Sequence, residues 1–259
     1  MRRLPGWAVR TTATVAATIG YTVWTVGSVF FLGALLVGEL LRAVLGQLGI
    51  TASLSESVIL QSTASVLVYM IGLGLLLVEP YAIRRLTTES VRVLFGVMRQ
   101  PAVRDLGIAF LAWAGYIVLS LVISVIGSLV LSGVDMTQAQ HIGFEQRSTG
   151  LDIVLAFCTI VIAAPLVEEV IFRGYLFGSV RTHMPWWLGA VIVSVVFGIV
   201  HGQWNVGLDV FAMSMVCCFL RERTGAIWAG VYLHMVKNFL AFSVLFLLPE
   251  QVRQLLMNL

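Results

Sequence analysis

Apolar runs long enough to cross a lipid bilayer recur along this chain, and they leave it few ways to fold. The hydrocarbon core of a bilayer is about 30 Å thick, so one helical crossing takes about 20 predominantly apolar residues. Inside that core every backbone N–H and C=O must find a partner, which a helix supplies from within itself. Runs of this kind begin near Ala13, Ser57, Leu106 and Leu151, and further apolar runs begin near Trp186, Val206 and Ala226. The expectation is an all-α, polytopic transmembrane helical bundle of about seven spans. Of the 259 residues, 59% are hydrophobic and 11% charged. A soluble domain carries about twice that charged share, so one membrane domain is expected and no soluble one.

The run from Ala13 to about Gly38 continues into a more amphipathic stretch with Glu39 and Arg42. Met1-Arg2-Arg3 precedes it as in a signal peptide, but the run is too long and lacks a small-residue cleavage site, so an uncleaved anchor is expected. A second span, Ser57 to Val78, stops at Glu79-Pro80. The basic connection that follows holds Val91, Val93, Leu94 and Val97, which suit the apolar side of a helix lying on the membrane surface. A third span covers about Leu106 to Leu131, a polar loop runs from Gly133 to Gly150, and the fourth span runs from Leu151 to about Val180. Two regions result: residues 1–150, N-terminal spans with a basic cytoplasmic connection, and residues 151–259, a membrane core that carries the polar motifs.

Arginine placement predicts an orientation. With the N-terminus cytoplasmic, one side collects Arg2, Arg3, Arg10, Arg84, Arg85, Arg92, Arg99, Arg104, Arg181, Arg221 and Arg223, and the other keeps little beyond Arg147 and Arg253. Such an excess marks the cytoplasmic side. A net charge of +3, with its arginines in short loops, argues against nucleic acid and leaves membrane lipids as the surroundings. Cys158, Cys217 and Cys218 lie in apolar runs without metal-ligand spacing and read as small packing residues. The sequence does not specify an oligomeric state.

Polar residues at membrane depth carry the functional signal. Glu168, Glu169 and Arg173 fall inside the fourth span, His201 ends the run after Trp186, and His234, Lys237 and Asn238 sit inside the last one. Each ionisable side chain at mid-bilayer costs roughly 2.5–3.5 kcal/mol on insertion scales, so several together demand pairing or a wet cavity. On a helix, residues four apart share a face: Glu169 with Arg173, Phe197 with His201, His234 with Asn238. Glu168 points about 100° from Glu169, which lets one carboxylate hold the arginine while the other faces a cavity. A turn at His183-Met184-Pro185 brings Glu168 and His201 to one level, and His234 falls close to it.

A carboxylate beside an imidazole can deprotonate water and pass the proton to a leaving amine. A histidine and an asparagine one turn apart can donate to a developing oxyanion. The same Glu168, His201 and His234 also suit zinc, although two histidines flanking a glutamate on one helix, as in helical metalloproteases, are missing.

Three motifs carry a family resemblance. Glu168-Glu169-Val-Ile-Phe-Arg173, Phe197-Gly-Ile-Val-His201 and His234-Met-Val-Lys-Asn238, the last preceded by Thr224-Gly225-Ala-Ile-Trp228-Ala-Gly230, resemble the Glu-Glu-x-x-x-Arg, Phe-x-x-x-His and His-x-x-x-Asn motifs of the CAAX-processing and bacteriocin-processing (CPBP, or Abi) membrane peptidases. The resemblance covers about Leu151 to Leu248. It implies cleavage of hydrophobic or membrane-anchored peptides, including prenylated C-terminal tails in some members. It also implies that Glu168 and His201 activate water while His234 and Asn238 steady the oxyanion. The family is described both as zinc-dependent and as a metal-free glutamate peptidase. The second description is favoured here: no cofactor, with zinc as the alternative.

Plainer readings stand beside these. Glu169 and Arg173 also suit a structural ion pair, and each histidine a helix-to-helix hydrogen bond. Pro165 frees the carbonyl of Val161 in an α-helix and opens the span to water, or is a tolerated kink. His183 and His141 read as exposed polar residues, and Trp186, Trp187, Trp204 and Trp228 as interface anchors or packing. Gln203 and Asn205 suit a solvated loop or a cavity mouth. Lys237 departs from the family pattern and either pairs with Asp209, pairs with a site glutamate, or marks a last span shifted by a turn. A non-catalytic scaffold, an immunity factor or a small proton-coupled transporter is the other functional class, although no internal repeat of the transporter kind is present. The C-terminus, Leu256-Met257-Asn258-Leu259, has no prenylation cysteine.

Overall fold

The computed structural model describes residues 12–49, 57–131, 133, 135, 138 and 150–248. Arg2, Arg3, Arg10, His141, Arg147, Arg253 and the C-terminal residues named above lie outside the described residues.

Each apolar run folds as a helix. The described residues form α1 (Thr12–Gln47), α2 (Val58–Val78), α3 (Thr88–Phe95), α4 (Val103–Val130), α5 (Gly150–Val180), α6 (Trp186–Ile199), α7 (Trp204–Thr224) and α8 (Trp228–Phe242). Six of these rods are long and apolar enough to cross a membrane, and α6 is a shorter apolar helix. The protein is therefore an integral, multi-pass helical membrane protein, in line with the seven apolar runs. In α1 the Glu39–Arg42 pair, 2.7 Å apart, is exposed on the last third of the helix.

The core gathers where α5, α6, α7 and α8 meet. Ile171, Tyr175, Phe177, Val193, Phe197, Met213, Cys217 and Leu233 are fully buried there, whereas long faces of α1 and α4 stay apolar and exposed. That inversion suits a protein whose solvent is lipid tails. Gly198 and Gly207 let α6 and α7 touch backbone to backbone: a Cβ on Gly198 would stand 2.9 Å from the Gly207 carbonyl. This contact pins the short turn that carries His201.

The connections after α2, α5 and α7 meet at one end of the bundle. Arg221 Nη2 donates to Val93 O at 2.9 Å, Ile227 N to Gly96 O at 3.1 Å, and Trp228 Nε1 to Arg99 O at 2.7 Å. Arg181 pairs with Glu222 at 3.0 Å, and Arg99 with Asp105. These contacts revise two expectations. Arg221, expected as a loop charge, is buried inside α7, where it caps the carbonyl end of α3. The helix expected on the membrane surface turns Val91 and Phe95 into the protein and leaves Val93 exposed, because α3 packs on the last third of α5, from Val170 onward.

Two other expectations change in detail. Cys217 and Cys218 are buried packing residues as expected, but Cys158 is exposed on α5. His183 is half-buried, with Nδ1 3.0 Å from the Ser179 carbonyl that ends α5.

Candidate active site

The span that carries the two glutamates is not a plain α-helix. Two wide π-helical stretches, Cys158–Ala163 and Val170–Leu176, flank the α-helical segment Ala164–Glu169. Such stretches are uncommon and recur at functional sites. Pro165 sits just after the first, and it corrects the sequence-based expectation. The Ala164 N–H bonds Thr159 O, five residues back. In that register the donor missing at Pro165 is owed to Ile160 rather than Val161. Asn238 Nδ2 supplies it, donating to Ile160 O at 2.9 Å. The proline thus creates a free carbonyl inside the bundle, and α8 satisfies it.

The glutamates divide as their 100° separation predicts. Glu169 is wholly buried, with Oε1 2.9 Å from Arg173 Nη1 and 3.2 Å from His234 Nδ1. Arg173, equally buried, lies over the Phe197 ring at 4.3 Å. Gly230 makes room for this cluster, since a Cβ there would stand 2.8 Å from Glu169 Oε2. Glu168 keeps 19% of its side chain exposed, accepts from Tyr69 Oη at 3.0 Å through Oε1, and places Oε2 3.8 Å from His234 Nε2.

His201 comes from the turn after α6. Its Nδ1 is 2.7 Å from the Phe197 carbonyl. A carbonyl only accepts, so Nδ1 carries the proton and Nε2 is left as the basic nitrogen. The Phe197 ring packs against both His201 and His234, with centroids 4.8 and 5.9 Å away.

Glu168, Glu169, Arg173, His201, His234 and Asn238 are thus brought to one region of the bundle. Lys237 joins Asp209 at 3.1 Å, the first of its three options. Among the described residues no three His, Cys, Asp or Glu side chains form a group able to share one metal ion. The glutamate–histidine pair at 3.8 Å supplies two of the donors a zinc site needs.

Sequence reasoning missed Tyr69, a lone tyrosine in α2 with no spacing to mark it. It also missed Tyr116 and Ser120 of α4, which donate to Asp209 Oδ1 at 2.7 and 2.6 Å.

Fold and site together define a polytopic helical membrane protein with a buried glutamate–histidine cluster. Residues 150–240 match the family model described as type II CAAX prenyl endopeptidase Rce1-like, so the resemblance carried by the three motifs is borne out over that segment. The chain is 35% identical over 103 residues to the "Putative membrane peptidase YdiL" of Bacillus subtilis (strain 168), covering 38% of this chain and 42% of that protein. It is 37% identical over 89 residues to an "Uncharacterized 24.3 kDa protein" of Escherichia coli, covering 32% of this chain and 41% of that protein. The alignments therefore span about two fifths of the curated relatives' length. No solved structure matches the chain.

Proposed function

We propose that this chain is an intramembrane endopeptidase of the CAAX-processing type, which hydrolyses peptide bonds in hydrophobic or lipid-modified substrates. One observation carries the reading: Glu168 Oε2 stands 3.8 Å from His234 Nε2, with His201 and His234 packed on the same Phe197 ring, while its neighbour Glu169 is tied to Arg173. A carboxylate left free next to a basic imidazole nitrogen is the arrangement that activates water.

In this mechanism Glu168 takes a proton from water, assisted by Nε2 of His201, and the resulting hydroxide attacks the scissile carbonyl. His234, which donates from Nδ1 to Glu169, donates from Nε2 to the oxyanion in its imidazolium form. Asn238 adds the second hydrogen of Nδ2, the first being engaged by Ile160. Glu168 then passes its proton to the leaving amine. Glu169 and Arg173 hold His234 in place. No metal is required; in the zinc alternative Glu168, His201 and His234 would become ligands after rearrangement. We read the end of the bundle that gathers Arg84, Arg85, Arg92, Arg99, Arg104, Arg181 and Arg223 as the cytoplasmic one, on the side of the N-terminus, from its excess of arginine.

The test is peptide cleavage by the purified protein in nanodiscs, over a panel that includes prenylated C-terminal peptides. Wild type, Glu168→Ala and His201→Ala are compared with and without a zinc chelator. Cleavage lost in both variants and surviving chelation supports the glutamate mechanism. Loss on chelation, restored by zinc, moves the same residues to a metal site. Activity surviving Glu168→Ala would overturn the assignment.

A further inference from the structure

A groove between α4 and α7 carries a charged pair at its inner end. It holds about 490 Å³ and is lined by Ser120, Ser124 and Ser128 of α4, by Asn205 and Asp209 of α7, and by Gln138 beyond α4, with Leu121, Val125 and Val206 forming apolar wall between them. Asp209 is engaged by Tyr116 and Ser120 through Oδ1 and by Lys237 through Oδ2. Even so, 31% of its side chain remains exposed. Ser120 lies ten residues, about 15 Å, inside the Val130 end of α4, well within hydrocarbon depth. Charged side chains at that depth face a bundle interior or a water-filled cavity, not lipid. The exposed third of Asp209 therefore faces water, and the groove it lines is where that water stands. Ser120, Ser124 and Ser128 repeat every four residues and put three hydroxyls along the same side of α4. Asn205 adds a buried carbonyl oxygen, Oδ1, without a hydrogen-bond partner among the described residues.

Asp209 links the groove to the helix that carries the candidate site: its partner Lys237 is one turn from His234 and adjacent to Asn238 on α8. A hydrolase enclosed by lipid-facing helices needs a path for its second substrate, water, separate from the one that admits an apolar peptide.

We propose that the α4–α7 groove is water-filled in the membrane and delivers the hydrolytic water to Glu168 and His201, with the Asp209–Lys237 pair at its inner end. The delivery half rests on the hydrolytic reading above; the wet groove does not.

The full chain in nanodiscs, with Cys158→Ser as background, tests both halves. Ser124→Cys and Val122→Cys are compared for reaction with a charged thiosulfonate, which is attacked by thiolates, with loss of sulfinate, and so reports thiols in water. Val122 is on the same helix, 49% exposed and not in the groove lining. Ser124→Cys should react roughly ten-fold faster or more, with a permeant maleimide establishing that both thiols are present. Equal rates would overturn the wet groove. In the second arm, Ser124→Leu should lower kcat at unchanged KM, and Ser124→Thr should restore it. Full kcat in Ser124→Leu would overturn the delivery route. A wild type that cleaves nothing would strike the hydrolytic reading, while the labelling rates would still decide the groove.

Discussion

Tyr69 of α2 donates a hydrogen bond to Glu168 of α5 across 3.0 Å and 99 positions of sequence. The N-terminal half, outside the family match, therefore supplies a side chain to the candidate site. Tyr69→Phe keeps the ring and removes the hydroxyl that donates to Oε1. A hydrogen bond to a charged group contributes about 1.5–3 kcal/mol, so cleavage should fall by roughly ten-fold or more through kcat, with KM nearly unchanged. Steady-state kinetics on the peptide cleaved best by wild type checks this.

The two neighbouring carboxylates should separate cleanly by stability. Glu169→Gln leaves Arg173 buried without its counter-charge, a change that typically costs about 3–5 kcal/mol. Glu168→Gln alters a part-exposed group that accepts from Tyr69 and lies 3.8 Å from His234, and should shift stability by under about 1 kcal/mol. Thermal unfolding of the two variants in the same detergent measures the difference. Equal losses would mean that the ion pair does not hold the site together.

Asn238→Ala should expose the Ile160 carbonyl that Pro165 leaves without a donor. A buried acceptor without a partner costs about 1–3 kcal/mol. Restoring an N–H in the same background, with Pro165→Ala, should recover most of that loss, because the backbone at that position can then donate to Ile160 itself. A double-mutant cycle on unfolding midpoints reads this coupling. Additive losses would refute it.

Gly230→Ala inserts a methyl against Glu169 Oε2, where a Cβ would have 2.8 Å of room. The carboxylate must shift away from Arg173 and His234. Overpacking of this kind costs about 1–3 kcal/mol, and cleavage should fall as well, since His234 loses its anchor. Unfolding and activity measured on one preparation check the pair of effects.

Much of the architecture was legible because lipid imposes one signal, length of apolar run. The expected spans Ser57–Val78 and Leu151–Val180 differ from α2 and α5 by a residue at the start. The Glu169–Arg173 pair was legible too, since four-residue spacing survives the change from α to π winding. The wide stretches themselves were not, because a run of apolar residues looks the same at either pitch. The Ile160 carbonyl was missed for that reason, and with it the contact that Asn238 makes. Arg221 misled for another: a basic residue near the end of an apolar run reads as a loop charge, and only the arrival of α3 from 128 positions away shows what it binds. Tyr69 has no local signal at all; its role exists only once α2 lies against α5.

The 14 residues of α6 make a rod of about 21 Å, against a hydrocarbon layer of about 30 Å. Beside that helix the two leaflets must dip or the helix must leave apolar lipid stranded above its end, at fractions of a kcal/mol per Å of mismatch. Where the leaflets dip, His201, in the turn that closes α6, is carried at a dimple in the bilayer rather than beneath its full thickness. Acyl-chain length then becomes a setting on the site: thinner membranes relieve the dimple, and thicker ones press lipid over the turn that holds the imidazole.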